Sequence, residues 1–312
     1  MDSYVADVLG ALTRSQFKAR FVSASVNGKT AKPSYRLGPG DSFIINLADP
    51  EDRSGAALPE DIHLDVLYED DNVIVVDKPQ GMVVHPAHGN WQGTLANALL
   101  GHYRAHNPVP ATGQSIAAGL GSGPGTIPRA GLVHRLDKDT SGVIIAGKTE
   151  AAMEYLAAQF RDRTTRKTYV AMVSGTPRGA SGRLDSWLAR DPRDRKRFAV
   201  AAEGTGRRAV TDWRVLAASG GVAVLALGLR TGRTHQLRVH CRSMGCPIVG
   251  DPVYGNADRR FPGATLMLHA WELRIVLPGN TGPSTFRAPV PDRMRAAART
   301  AGLGSFPEPV PV

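Results

Sequence analysis

The sequence predicts an α+β protein that is mostly β, preceded by a small N-terminal unit. Strand-length runs rich in β-branched residues recur from residue 63 onward, and few segments between them have helical periodicity. A polar stretch of small and charged residues, 49–62, reads as a linker between these runs and residues 1–48. At 312 residues, 42% of them hydrophobic, the chain can form about two domains with cores of their own.

The N-terminal unit is expected to contain one helix, a hairpin and a strand. Residues 14–24 show helical spacing of apolar residues, and Asn27-Gly28 is a strong signal for a two-residue hairpin turn. A strand is predicted at 43–45. The apolar face of the helix holds Phe17, Phe21 and Ala24, and its polar face holds Arg14 and Lys18.

The larger domain is expected over residues 63–295, followed by a tail at 296–312. Residues 63–87 predict two strands separated by a turn at 78–81, and residues 150–163 predict a helix. The low-complexity segment 105–127 predicts a mobile surface insertion. Further strands are predicted at 167–175, 206–217, 222–240 and 264–276.

The charge of the chain favours an anionic partner. Lys and Arg number 38 against 28 Asp and Glu, a net charge of +10, and residues 158–198 alone hold eleven Lys/Arg against four Asp. Such a surplus is typical of proteins that bind nucleic acid, with an anionic membrane and simple solubility as the alternatives.

Several other classes are disfavoured. The sequence shows no signal peptide pattern and no apolar run long enough for a membrane span, and its two cysteines suit a reducing, cytoplasmic setting. Cys241 and Cys246 lack the paired spacing of zinc sites, and no phosphate-loop or G-x-S-x-G motif occurs. These patterns therefore favour neither a zinc site, nor a phosphate loop, nor a serine hydrolase.

One carboxylate stands among cationic side chains in "GLVHRLDKDTSGVIIAGKT", residues 131–149. Asp137 is flanked by His134, Arg135 and Lys138, which supply positive potential. Cations nearby keep a partly buried carboxylate ionised, and an ionised, positioned carboxylate can serve as a nucleophile or a base. A surface charge or a turn cap is the alternative.

The direct partner of Asp137 is expected from "LRTGRTHQLRVHCRSMG", residues 229–245. Thr231-Gly232 gives a kink that could point Arg233 into a cleft, where its guanidinium could bind a carboxylate or a phosphate. If a strand resumes at His235, then His235 and Arg238 lie on opposite faces. A solvated cationic edge strand is the alternative.

Lys167 and Tyr169 are two residues apart in a predicted strand, so their side chains share a face. An aromatic ring beside a cation suits a stacked base with a phosphate held nearby. A core tyrosine with its hydroxyl at the edge is equally consistent with the pattern.

Together these segments resemble the RluA/RluD family of pseudouridine synthases. The likeness spans about residues 63–295. Residues 1–48 resemble, more weakly, an abbreviated S4 RNA-binding module. The strings that carry the main likeness are "RAGLVHRLDKDTSGVIIAGKT", "RKTYVAMVSG", "GRRAVTDWRVL", "LRTGRTHQLRVH", "GCPIVGDPVYG" and "LMLHAWEL".

The resemblance implies a mixed, mostly antiparallel sheet with flanking helices. It also implies an isomerase that converts selected uridines in RNA to pseudouridine without a metal or an organic cofactor. It implies that Asp137 is the catalytic aspartate, that Arg233 pairs with it and that Tyr169 packs against the uracil. Leu268 would form the pocket floor, and Arg135 would enter the base stack as the uridine flips out. Further RNA or substrate contacts are expected from His134, Lys167, Thr234, His235, Arg238, Arg14 and Lys18.

Large-subunit ribosomal RNA is the expected substrate, ahead of transfer RNA, and the protein is expected to act as a monomer in the cytoplasm. Two alternatives remain open at this point. A non-catalytic RNA-binding or ribosome-assembly protein would not need Asp137. A small-molecule hydrolase would need a second, suitably placed carboxylate.

Overall fold

A computed structural model describes residues 1, 4–5, 17, 21–47, 57–87, 89–106, 130–194 and 196–312. The chain divides into two compact units, with residues 21–47 in the smaller and the described residues from 57 onward in the larger. Arg14, Lys18 and positions 107–127 of the predicted insertion lie outside the described residues.

The smaller unit contains a three-stranded antiparallel sheet in the order β2–β1–β3, formed by Phe21–Val26 (β1), Lys29–Thr30 (β2) and Phe43–Leu47 (β3). The predicted hairpin is confirmed, because Asn27 and Gly28 have φ of 48° and 75°, positive as a type I′ turn requires. The predicted helix is wrong for residues 21–24. Those residues lie in β1, where they pair antiparallel with β3.

The larger unit contains a mixed sheet in the order β4–β5–β6–β12–β7–β11–β10–β8–β9, with β13 paired to β12. Among the described strands only β6 and β12 pair in parallel. The predicted α+β architecture is confirmed. The strands are Asp65–Glu69 (β4), Val73–Lys78 (β5), Ser141–Gly147 (β6), Arg166–Ser174 (β7), Ser181–Arg190 (β8), Phe198–Ala201 (β9), Arg207–Ser219 (β10), Val222–Leu229 (β11), Leu268–Val276 (β12) and Pro283–Arg287 (β13).

The described residues form four helices that flank this sheet: Leu95–His106 (α1), Glu150–Asp162 (α2), Gln236–Ser243 (α3) and Asp292–Thr300 (α4). The prediction of α2 is confirmed, and its first turn is capped by the Thr149 hydroxyl, which accepts a hydrogen bond from the Ala152 N–H at 3.1 Å. No helix in the described part of the chain is long and apolar enough to cross a membrane.

Apolar layers cover both faces of the sheet. On β5, Ile74 and Val76 belong to one buried cluster while Val73 and Val75 belong to another. Alternate residues of a strand face opposite sides, so β5 is covered twice. Leu156 of α2 is buried in the second cluster. The sheet is therefore a rigid support for the segments that leave its edges.

One predicted strand is absent, and another is shorter than predicted. Residues 82–84 do not form a strand. Instead, the carbonyls of Val83 and Val84 accept hydrogen bonds from the N–H groups of Leu95 and Ala96, at 2.8 and 3.1 Å. These bonds satisfy N–H groups in the first turn of α1, which have no partner within the helix. The strand predicted at 222–240 ends at Leu229, and residues 236–243 form α3.

Candidate active site

A cleft of about 380 Å³ lies where β7, β11 and β12 run side by side. Its walls come from residues 134–140, the end of α2, the start of β7 and the segment 229–238. Ten predicted site residues line it: Asp137, Tyr169, Arg233, Arg135, His134, Lys167, Leu268, Thr234, His235 and Arg238. The structure therefore brings ten of the twelve predicted site residues to one cleft, and the other two, Arg14 and Lys18, lie outside the described residues.

Asp137 begins a tight turn that leads into β6. The Thr140 N–H donates to the Asp137 carbonyl at 3.0 Å, and the Asp137 side chain is 22% exposed at the cleft. The carbonyls of this turn are held by residues 78–81. Gly81 N–H donates to the Lys138 carbonyl at 2.9 Å, and the Gln80 amide donates to the Asp139 carbonyl at 2.8 Å. The Asp137 turn is fixed to the end of β5 by these bonds.

Lys78, which has no exposed surface, completes this support. Its ammonium donates to the carbonyls of Pro79 and Met82 at 2.8 Å and of Lys138 at 3.2 Å, so each of its three N–H groups has an acceptor. Burial lowers the pKa of Lys78 to about 8, while Asp139 and Asp137 act in the opposite direction. The end of β5 and the turn that follows it thus serve as the base of the Asp137 turn.

Two side chains of the α3 segment face the Asp137 carboxylate. Arg238 Nη1 lies 3.8 Å and His235 Nε2 lies 3.9 Å from Asp137 Oδ2, and no other basic nitrogen of the described residues comes within 4.0 Å. A strand would have placed the two on opposite faces. Instead, His235 is the N-cap of α3 and Arg238 lies in the first turn of this helix, and both side chains reach Asp137.

The expectation that Arg233 pairs with Asp137 is therefore wrong in its geometry. Arg233 lines the cleft, but its Nε donates to the carbonyl of Arg208 at 3.1 Å. Burial lowers the pKa of Arg233, as do the nearby charges of Arg163 and Arg207. The partner of Asp137 does come from residues 229–245, as expected, but five residues further along, at Arg238.

Gln236 determines the shape of the turn between β11 and α3. Its side chain is 2% exposed, and its carbonyl accepts the Thr231 hydroxyl at 2.7 Å and the Arg233 N–H at 3.0 Å. Its amide donates to the Val210 carbonyl at 3.0 Å and contacts the Thr211 hydroxyl at 2.9 Å. One buried amide therefore ties the turn to β10.

His134 does not contribute positive charge, contrary to the expectation. The Ile145 N–H donates to His134 Nε2 at 3.1 Å, which requires that nitrogen to be unprotonated. Burial lowers the pKa of His134 to about 3, with a smaller effect of Lys167. The ring stacks on Phe160 at 4.4 Å between centroids. This histidine ties residues 131–137 to β6 and forms part of the cleft wall.

Tyr169, Lys167 and Leu268 occupy one wall, as the strand alternation predicts for the first two. Tyr169 is 8% exposed, and burial together with the charge of Asp137 raises the pKa of its phenol. Burial and the charge of Arg163 lower the pKa of Lys167, whose ammonium lies 5.5 Å from the centroid of Phe160. The wall offers an aromatic ring and an aliphatic side chain, with a cation close by.

Three residues of the site had no role in the sequence interpretation. Gln236 is one, and the others are Asp251 and Tyr254, which contact Arg238 and His235. The strings T-H-Q-L-R and G-D-P-V-Y-G contain them, but only the helical register of α3 brings them to the site. Among the described residues, no three His, Cys, Asp or Glu side chains are arranged to hold a metal ion.

A half-buried carboxylate and a buried phenol at the bottom of a cleft, with several arginines around them, form the site of an enzyme for an anionic substrate. The family model described as RNA pseudouridylate synthase matches residues 72–243. The chain belongs to the RNA pseudouridylate synthase family, whose members isomerise uridine in RNA.

Relatives support this assignment over most of the chain. The ribosomal large subunit pseudouridine synthase D of Borreliella burgdorferi is 38% identical over 294 residues, which are 92% of this chain and 84% of the relative. The protein of the same name from Xanthomonas campestris is 39% identical over 308 residues, 94% of this chain and 86% of the relative.

Solved structures agree on the fold. The human RNA pseudouridylate synthase domain containing 4 has a TM-score of 0.60 at 23% identity, and it covers 76% of this chain and 92% of its own. The human RNA pseudouridylate synthase domain containing 1 has a TM-score of 0.57, also at 23% identity, over 80% of this chain and 98% of its own.

Proposed function

We propose that this enzyme isomerises specific uridines of large-subunit ribosomal RNA, with Asp137 as the catalytic carboxylate. The observation that carries the proposal is the position of Asp137 in the cleft, 3.8 Å from the guanidinium of Arg238 and near the buried phenol of Tyr169. The names of the bacterial relatives support the ribosomal substrate. We further propose that the protein acts as a cytoplasmic monomer.

The reaction needs no external reactant. The N1–C1′ bond of the uridine breaks, the uracil turns, and C5 joins C1′, while the proton lost from C5 is balanced by the proton gained at N1. Substrate and product are isomers, and neither is oxidised or reduced. A carboxylate at the cleft floor can serve this exchange as a nucleophile or as a base.

The cleft suits a nucleotide that has left its helix. Its volume of about 380 Å³ falls within the range of about 300–1,000 Å³ for small-molecule sites. We assign the uracil to the wall made by Tyr169 and Leu268, and the flanking phosphates to the cationic rim. The rim contains Arg135, Arg161, Arg163, Lys167, Arg230 and Arg233. Exposed Arg135 is the proposed residue that fills the vacated base stack.

Release of tritium from RNA labelled at C5 of uridine tests the proposal, because that hydrogen leaves during the isomerisation. Wild-type enzyme is expected to release tritium from large-subunit RNA, and Asp137→Asn is expected to bind the same RNA without releasing it. Asp162→Asn, the same change at an exposed position of α2, is the matched control and is expected to remain active. Tritium release by Asp137→Asn would refute the assignment.

Mapping pseudouridine in cells with and without the gene identifies the substrate. The proposal expects one or more positions in large-subunit RNA to revert to uridine. Loss confined to transfer RNA would refute the ribosomal assignment while leaving the chemistry intact. Normal modification of all RNA together with defective ribosome assembly would instead support a non-catalytic role.

A further inference from the structure

We propose that Asp251 and Tyr254 are positioning residues for the isomerisation. They hold the side chains of Arg238 and His235 so that both face the Asp137 carboxylate. This inference rests on the proposed function, since it takes Asp137 as the catalytic carboxylate. Asp251 and Tyr254 follow α3, and neither lines the cleft. Each acts on the site through another side chain.

Arg238 is shared unequally between two carboxylates. Its Nε and Nη2 each donate to Asp251 at 2.7 Å in a bidentate pair, while Nη1 lies 3.8 Å from Asp137 Oδ2. The side chain of Asp251 has no exposed surface and that of Arg238 is 6% exposed. A buried, bidentate pair of this kind fixes the plane of the guanidinium, which leaves the remaining nitrogen directed at Asp137.

The backbone fixes Asp251 in turn. Its Oδ1 accepts the N–H groups of Val253 at 2.8 Å and Tyr254 at 2.9 Å in addition to the bond from Arg238. Burial would raise the pKa of Asp251, but the hydrogen bonds from Arg238 and from the backbone outweigh it and lower the pKa. Asp251 is thus an immobile anion that satisfies most of the charge of Arg238, so that Asp137 is held by a longer contact and stays available for reaction.

Tyr254 supports both partners of Asp137 at once. It is 2% exposed, its ring lies 5.1 Å from the guanidinium carbon of Arg238, and its hydroxyl lies 2.9 Å from His235 Nδ1. The Phe198 N–H donates to the same hydroxyl at 2.8 Å, so the phenolic proton is free to be donated to Nδ1. The neutral ring then carries its proton on Nε2, which faces Asp137 Oδ2 at 3.9 Å.

His235 needs this support because of its backbone. Its φ of 57° is in the left-handed region, where a histidine pays a conformational cost unless its surroundings hold it. It stands at the N-cap of α3 without a side-chain capping bond. The hydroxyl of Tyr254 is therefore what the ring binds, and it orients the imidazole toward the cleft.

A double-mutant cycle in the full-length enzyme separates positioning from mere stability. Asp251→Asn and Arg238→Gln are made singly and together, and the single-turnover rate constant, the RNA dissociation constant and the urea midpoint are measured for each. Asp251→Asn is expected to lower the rate constant about 100-fold with RNA affinity within about threefold of wild type. In the Arg238→Gln background the same change is expected to lower the rate constant less than threefold, because the guanidinium through which Asp251 acts is already absent.

Tyr254→Phe is the second variant, because it removes only the hydroxyl and leaves the ring under Arg238. It is expected to fold and to lower the rate constant about tenfold without weakening RNA binding. The matched control is Asp258→Asn, which breaks a similar aspartate–arginine pair, with Arg260, outside the cleft. This control is expected to keep the wild-type rate.

The variants of Asp251 and Tyr254 test the positioning roles, and the variant of Asp137 tests the proposed function. Wild-type rate constants in Tyr254→Phe, or equal effects of Asp251→Asn in both backgrounds, would overturn the positioning roles. A loss confined to RNA affinity would also overturn them. If Asp251→Asn alone does not fold, Tyr254→Phe decides. Tritium release by Asp137→Asn would instead count against the proposed function itself.

Discussion

Replacing Gln236 by leucine is expected to destabilise the protein and distort the cleft. The substitution removes four hydrogen bonds from a side chain that is 2% exposed. Three of the partner groups keep another bond. These are the Val210 carbonyl with the Arg230 N–H, the Thr231 hydroxyl with the Val210 N–H, and the Thr211 hydroxyl with His240 Nδ1.

The Arg233 N–H is the exception, because it has no second acceptor among the described residues. Three lost but replaceable bonds cost about 1 kcal/mol each, and the part-buried Arg233 N–H, left without an acceptor, costs about 1 kcal/mol, the lower end of the range for an unsatisfied donor. Burial of the leucine side chain offsets part of this loss. We therefore expect a decrease of about 3–4 kcal/mol in the free energy of unfolding, together with a lower rate of isomerisation because Arg233 and α3 lose their anchor.

Urea unfolding followed by tryptophan fluorescence measures the decrease, and tritium release measures the rate. Gln92→Leu, the same change at an exposed position, is the control and is expected to alter stability by less than about 0.5 kcal/mol. A Gln236→Leu enzyme that loses less than about 1 kcal/mol and keeps full activity would refute the view that this amide organises the turn.

Three further predictions follow from the site and the sheet. Burial lowers the pKa of His269 from 6.5 to about 4, so between these two pH values the unfolded state binds more protons than the folded state. Acidification to pH 5 is therefore expected to lower the free energy of unfolding by about 2 kcal/mol. The His269→Gln variant should lose less stability over the same pH range. In Gly142→Ala the new Cβ would lie 2.2 Å from a backbone carbonyl oxygen of β12, and the φ of residue 142 is +118°. Urea unfolding is therefore expected to show a decrease of about 3 kcal/mol in the free energy of unfolding. The control Gly282→Ala, whose Cβ would meet nothing within 4 Å, should change this free energy little. Arg238→Lys is expected to lower the single-turnover rate much more than Arg233→Lys, because only Arg238 makes the bidentate pair; the reverse order would show that Arg233 is the partner of Asp137.

Much of the site could be predicted because its residues cluster in short strings. Asp137 and its neighbours lie within one turn, and the strand period placed Lys167 and Tyr169 on one face. These are local relations, and local periodicity determines them. The charge balance also indicated the class of partner, since surplus arginine and lysine favour an anion whatever the fold.

The identity of the Asp137 partner could not be predicted, because it depends on whether residues 235–240 are a strand or a helix. Leu237 and Val239 alternate as in a strand, yet a helix begins at Gln236, whose buried side chain makes four hydrogen bonds. Tertiary contacts thus override a short local pattern. For the same reason His134 was expected to be charged, whereas a backbone N–H from β6 requires it to be neutral.

The hydrogen bonds that hold residues 137–140 in place affect which uridines can react. Carbonyls of this segment are anchored by Lys78, Gln80 and Gly81, so the enzyme has little room to adapt when RNA arrives. The distortion needed for a reactive encounter then falls on the nucleic acid. Unstacking a paired nucleotide costs a few kcal/mol and an unpaired one much less. We therefore expect the enzyme to act faster on uridines in loops and bulges than on paired uridines, because an unpaired nucleotide leaves its helix at a lower cost in free energy.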